Sequence, residues 1–143
     1  MPSEKIETKW LFSLWQYSYF LKNIMANTKS IYSSTFIFAK GKFDDEFYKL
    51  DEEIAALAKS IPGYIGEETW ENSSSGLVSN VYYWESMKAL QLLVAHPKHR
   101  EAKEKQSKWL AGYQVIISQV LRTYGDSKLA EQLPKLVLTQ NAL

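Results

Sequence analysis

Three strand-like stretches of this chain are apolar on both of their faces, and this constrains the fold more than any motif does. Segments 31–39, 64–71, 77–84 and 113–124 are rich in β-branched and aromatic residues and are bounded by turn residues such as Gly41, Asn72 and Gly125. In the first, Tyr32, Phe36 and Phe38 share one parity, while Ile31, Ile37 and Ala39 share the other. In the third, Val81 and Tyr83 oppose Tyr82 and Trp84; in the fourth, Val115 and Ile117 oppose Ile116 and Val120. A sheet with helices on one face and water on the other should alternate apolar and polar residues. Here both faces need cover, because an exposed apolar sheet face is a larger patch than soluble monomers carry. A second copy related by a two-fold axis supplies that cover with one gene product. The expected assembly is a homodimer joined through the sheet; the alternative cover is the N-terminal helix folded back over part of the open face.

Helical patterns lie between these segments. Phe47, Leu50, Ile54, Leu57, Ala58 and Ile61 form one stripe, with Asp44 and Asp45 at its start and Pro62-Gly63 at its end. Residues 72–76, Asn-Ser-Ser-Ser-Gly, read as a hairpin loop, so the second and third strands run antiparallel. Met87, Leu90, Leu93 and Val94 make a second stripe; Pro97 interrupts it and can open a further helix. Residues 127–133 suggest a short helix before Pro134. The order β-α-β-β-α-β is the ferredoxin-like α+β arrangement, a four-stranded antiparallel sheet with helices on one face.

This domain is expected over residues 29–126, followed by a C-terminal tail over 127–143. Residues 1–28 read as an N-terminal amphipathic helical extension, with Ile6, Trp10, Leu14, Tyr17, Leu21 and Ile24 at steps of three and four. The apolar run between Lys9 and Lys22 is shorter than the roughly 20 residues of a membrane span. Glu4 and Glu7 precede it and no small-x-small cleavage site follows, which argues against a secretory leader. Met25 is a candidate alternative start.

The 143 residues suit one domain, and the net charge of +1 gives no footprint for nucleic acid. The basic run over 98–108 is interleaved with Glu101 and Glu104, as in a solvated helix face. The absence of cysteine excludes disulfides, thiolate metal sites and a thiol nucleophile, and suits a reducing compartment such as the cytoplasm. Phosphate-binding, dinucleotide-binding, serine-hydrolase and zinc-hydrolase motifs are all missing. Five Trp, nine Tyr and six Phe exceed what a small core needs, and point to an interface or an aromatic pocket.

His99 is the candidate catalytic residue. At helical spacing it shares a face with Ala102, Gln106 and Trp109, the face that points inward. A half-buried imidazole can accept a proton from a phenol-like substrate. Tyr83, Trp84, Trp109 and Tyr113 lie near the strand–helix joints and are the candidate walls of a pocket for a flat ring; plain core packing is the other use for them. Asn80, polar in an apolar strand, can orient a ligand carbonyl or pair across the hairpin. His96, before Pro97, suits a helix cap. His96 and His99 have no further ligand at metal-site spacing, so no metal is expected.

The segments PGYIGEE, VYYWES, HPKHREAK, Trp109 with Tyr113, and VLRTYG together resemble the antibiotic biosynthesis monooxygenase (ABM) family over about residues 31–125. The resemblance implies a dimeric α+β barrel. It also implies a cofactor-independent monooxygenase acting with O₂ on a planar aromatic or quinol-type substrate, in which His99 matches the family's histidine on the same helix. The alternative is a non-enzymatic dimeric module that binds a ligand or a partner. Haem binding or degradation is a weaker implication. The haem-degrading members call for an asparagine on the first strand, and a Trp and a His on the helix after WES. The first strand has no asparagine, and Leu93 and Lys103 stand at the other two positions.

Overall fold

The computed structural model describes residues 14, 16–19 and 29–138. Residues 14 and 16–19 are helical; the rest of the extension expected over 1–28, and residues 139–143 of the tail, lie outside the described residues. One compact unit spans Ser30–Val137. Its elements are β1 (Ile31–Lys40), α1 (Asp45–Ser60), β2 (Tyr64–Asn72), β3 (Leu77–Trp84), α2 (Met87–Val94), α3 (Pro97–Lys105), a 3-10 turn (Gln106–Lys108) and β4 (Leu110–Val120). The expected βαββαβ order is present, with the second helix split at Pro97. The strands form one antiparallel sheet in the order β2-β3-β1-β4. This is the ferredoxin-like α+β fold.

Local chemistry sets the joints. Asp44 caps α1 by accepting the Phe47 amide at 2.9 Å, and Asp45 and Glu46 add negative charge at the positive end of the helix. Ser86 caps α2 through the Ala89 amide at 3.1 Å. His96 caps α3: its Nδ1 accepts the Lys98 amide at 3.2 Å, and Pro97 follows in the first turn, where a missing N–H costs nothing. In the β2–β3 turn, Asn72 Oδ1 accepts from Ser74 and Ser75, while Gly76 takes a φ of 69° that a side chain would resist.

Registry assigns the two faces. Tyr32, Ser34, Phe36 and Phe38 of β1 stand beside Val78, Asn80, Tyr82 and Trp84 of β3 and beside Tyr113, Val115 and Ile117 of β4. This is the helix side. The core there gathers Ala58 and Ile61 of α1, Trp84 of β3, and Ala89, Leu90 and Leu93 of α2. The opposite side carries Ile37, Val81, Tyr83 and Ile116.

Two sequence expectations about the C-terminal part are corrected. β4 covers Leu110–Val120 rather than 113–124. It starts early because α3 gives way to the 3-10 turn at Gln106, and it stops at Val120 because its partner β1 begins opposite, at Ile31. Leu121 and Tyr124 continue the apolar pattern but have no strand to pair with, and are 86% and 93% exposed. Residues 127–133 form turns rather than a helix: Ala130 and Leu133 donate to the Ser127 and Leu129 carbonyls, and Ser127 has a left-handed φ of 66°. Beyond these turns Pro134 seats against Gly66 on the sheet face away from the helices. A Cβ on Gly66 would lie 2.8 Å from the proline ring. β4 is also an edge strand without a charged side chain from Leu110 to Leu121. Among the described residues no helix is long and apolar enough to cross a membrane.

Candidate functional site

The helices do not cover the whole sheet evenly, and a cavity of about 500 Å³ remains between them and the β1–β4 side. Its floor is Ser34, Phe36 and Phe38 of β1, Asn80 and Tyr82 of β3, and Tyr113, Val115 and Ile117 of β4. Phe47, Leu50, Asp51 and Ile54 of α1 form one wall, with Leu90, Leu93 and Val94 of α2 behind them. His99, Ala102 and Lys103 of α3, then Gln106 and Trp109, close the roof. The lining is mostly apolar and aromatic, with a few polar groups, as ligand cavities generally are.

Trp109 shuts one end. It is 3% exposed, its ring meets Phe47 edge-on at 5.5 Å, and its Nε1 donates to Asp44 Oδ1 at 3.0 Å. That oxygen also caps α1, so one carboxylate fixes both the helix start and the cavity end. Asp44→Ala removes the cap and leaves a buried indole N–H unpaired. It should lower the thermal unfolding midpoint by several °C, with Asp44→Asn falling between it and wild type. A midpoint unchanged in Asp44→Ala would show that neither bond matters.

α3 has no buried residue of its own. Lys98 pairs with Glu53 of α1 at 2.7 Å, and Lys105 and Lys108 both reach Glu46, the latter at 2.8 Å. The two lysines hold the Glu46 carboxyl down to about 2. Exposed pairs of this kind orient a helix more than they stabilise it.

His99 stands where its helix phase suggested. Burial lowers its pKa from the usual 6.5, and nearby Lys103 adds to this; a backbone hydrogen bond to Val94 acts in the opposite direction. Its Nδ1 is buried and has no hydrogen-bond partner. A buried ring nitrogen without a partner is a polar group that the surrounding packing does not satisfy. Two more cavity groups resist ionisation. Burial pushes the Asp51 carboxyl up, with Glu67 and Glu52 adding to it, and burial pushes the Tyr82 phenol up.

Of the residues singled out from the sequence, His99, Asn80, Trp109 and Tyr113 meet at this cavity, while Tyr83 and Trp84 do not. Trp84 is fully buried in the core, and its Nε1 donates to Ser34 Oγ at 3.2 Å. Tyr83 points to the other face, donates to Glu68 Oε1 at 2.8 Å, and is pushed up to about 12 by burial. There it borders a smaller cavity of about 280 Å³ with Thr123, Leu133 and Pro134. Asn80 does pair across the hairpin, accepting from Thr69 Oγ1 at 3.0 Å, and still borders the main cavity. Sequence reasoning missed Ser34, Phe36 and Phe38, although their shared parity was visible. It also missed Phe47 and Asp51 on α1, whose phase was read only as core. Among the described residues no group of three or more His, Asp or Glu side chains is placed to hold a metal ion.

The same architecture recurs in known structures. SnoaB, a cofactor-independent oxygenase from Streptomyces nogalater, superposes with a TM-score of 0.55 at 12% identity, over 66% of this chain and 96% of its own. A candidate antibiotic biosynthesis monooxygenase from Deinococcus radiodurans gives 0.54 at 14% identity, over 66% and 96%. At such identities the likeness concerns fold, and the fold is that of the antibiotic biosynthesis monooxygenases. No family model matches the sequence. YqjZ of Bacillus subtilis, an uncharacterized protein, is 33% identical over 92 residues, covering 64% of this chain and 80% of YqjZ. The chain belongs to the YqjZ family.

Proposed function

We propose that the cavity binds a planar aromatic or quinol-type molecule and that the protein oxygenates it with O₂ and no cofactor. The observation that carries this reading is the buried, unpartnered Nδ1 of His99 beside a cavity lined mostly by aromatic and apolar groups. His99 takes the proton from the activated ring position. The resulting anion gives one electron to O₂, and recombination of the radical pair forms a carbon–oxygen bond. Loss of water from the peroxide leaves a ring carbonyl. Overall, a ring methylene and O₂ become a carbonyl and water, so the electrons balance without an external reductant. Asn80, Trp109 and Tyr113 act as binding walls; Tyr83 and Trp84 stand outside the contact set. The test is O₂ consumption by the purified protein with an anthrone or quinol panel, and a panel without turnover overturns the assignment.

Binding without turnover is the rival. One feature favours it: Tyr113, Val115 and Ile117 line the cavity yet are 45%, 52% and 49% exposed, so water reaches the β4 side in the single chain. In our reading a second copy packs on the opposite sheet face, which carries Ile37, Val81 and Ile116. Ile116→Glu should then turn a dimer into a monomer in sedimentation velocity. A wild-type protein that sediments as a monomer at all concentrations would remove the dimer from the proposal.

A further inference from the structure

Three carboxylates project from β2, and two of them have a cation. Glu67 and Glu71 fall on the helix side by register and pair with Lys59 at 3.4 Å and with Lys40 at 2.8 Å. Glu68 faces the other way, beside Val81. It is half-buried, and among the described residues its carboxylate has no ion-pair partner; the donor that reaches it is the Tyr83 hydroxyl, at 2.8 Å. A carboxylate offers about four acceptor sites, so one hydroxyl leaves most of them open. Burying a charge without a counter-charge is costly.

Glu68 borders the smaller cavity of about 280 Å³ on the sheet face away from the helices. Tyr83 and Thr123 are its other polar lining, and Leu133, Pro134 and Leu136 close it with apolar surface. Two features set this C-terminal segment in place. The turns over Ser127–Leu133 redirect the chain, and Pro134 seats so close to Gly66 that an added Cβ would lie 2.8 Å from it. An apolar cavity of about 150 Å³ takes up benzene, so the volume here suits a ring with a short side chain.

We infer that this cavity is a second binding site, for a primary ammonium on a compact apolar body, with Glu68 as its counter-ion and the C-terminal segment as its apolar roof. An anion would meet an uncompensated carboxylate, and a neutral molecule would leave Glu68 as unpaired as before. An ammonium supplies the missing charge through a charge-assisted hydrogen bond, and the neighbouring Tyr83 ring favours a cation further. Tyr83 anchors one carboxylate oxygen and so fixes where the negative charge sits. The main cavity lies across the sheet, and its ligand and chemistry take no part here.

Isothermal titration calorimetry on the full chain tests this with phenethylamine and phenethyl alcohol, which share ring and chain and differ in charge. Wild type should bind the amine at least about tenfold more tightly than the alcohol, as one hydrogen bond to a charged group allows. Glu68→Gln keeps an acceptor for Tyr83, loses the charge, and should bring that ratio close to one. Asp51→Asn removes the carboxylate of the main cavity and should leave the ratio unchanged. Gly66→Ala should weaken both probes several-fold, because its methyl group pushes Pro134 off the strand. Equal wild-type affinities, a ratio that survives Glu68→Gln, or no binding of either probe overturns the ammonium site. Loss of the ratio in Asp51→Asn alone would place the amine in the main cavity and overturns it too. Unchanged binding in Gly66→Ala overturns the placement under the C-terminal segment. Amine affinity that climbs on dilution would give the cavity to a second copy of the chain instead. None of these readouts involves O₂ consumption, so failure of the oxygenase reading is seen separately.

Discussion

Under the proposed oxygenase reading, His99→Ala should lower O₂ consumption by about 10²–10⁴-fold, the usual contribution of a positioned general base, while changing ligand affinity little. The reason is the contrast between the imidazole and its setting. Burial, with the positive charge of Lys103 nearby, keeps the ring neutral, and Nδ1 has no internal partner to satisfy. A base works in its unprotonated form, so the sign of the pH dependence follows. Activity should be at its plateau at neutral pH and fall only as the pH drops below the ordinary histidine value of 6.5, toward the lowered folded value. Stability moves the same way. The folded state resists a proton that the unfolded chain accepts below 6.5, so the contribution of neutral His99 is full above that pH and declines as the pH falls from it. His99→Gln should flatten both profiles. Turnover that is unchanged in His99→Ala, or that peaks well below pH 6, rules out this histidine as the base.

Trp84→Ala should destabilise the fold by about 3–5 kcal/mol, the range for deleting a buried large aromatic. Trp84 is the largest side chain with no exposure at all, and it sits between Tyr64 and Tyr82, with ring centroids 5.7 and 6.3 Å away. Against a total of roughly 5–15 kcal/mol for a domain of this kind, that loss is severe. Urea unfolding followed by far-UV circular dichroism measures it without relying on the deleted fluorophore. Trp84→Phe keeps most of the buried ring surface and should lose well under half as much. A loss below about 1 kcal/mol for Trp84→Ala would mean that the site collapses onto neighbouring groups and that Trp84 is not central to the core.

The contrast between these two residues shows what the sequence could and could not reveal. Helical phase placed His99 inward, and Pro97 marked the helix joint, because both signals are local and repeat with the backbone. Trp84 and Tyr83 are adjacent on a strand, so they must face opposite ways. Alternation alone forbids both from walling one pocket. Which parity faced the helices depended on long-range pairing between β1, β3 and β4 that no single segment encodes. The bond from Trp84 to Ser34 spans 50 positions of chain and was invisible for the same reason. The end of β4 was misplaced because its apolar pattern runs on to Tyr124, whereas its length is set by where β1 begins.

β4 has one further consequence. Its uncharged run from Leu110 to Leu121 is an edge that no described strand pairs, rich in β-branched residues, the composition that templates growth of a sheet between molecules. Lys108 stands just before the run and Arg122 just after it, charges that act as gatekeepers at both ends of the segment. Lys108 also pairs with Glu46 and lies over the Trp109 ring, so Arg122 is the cleaner one to replace. A neutral residue there would shorten the time the protein survives in concentrated solution, a colloidal lifetime separate from the stability of the fold.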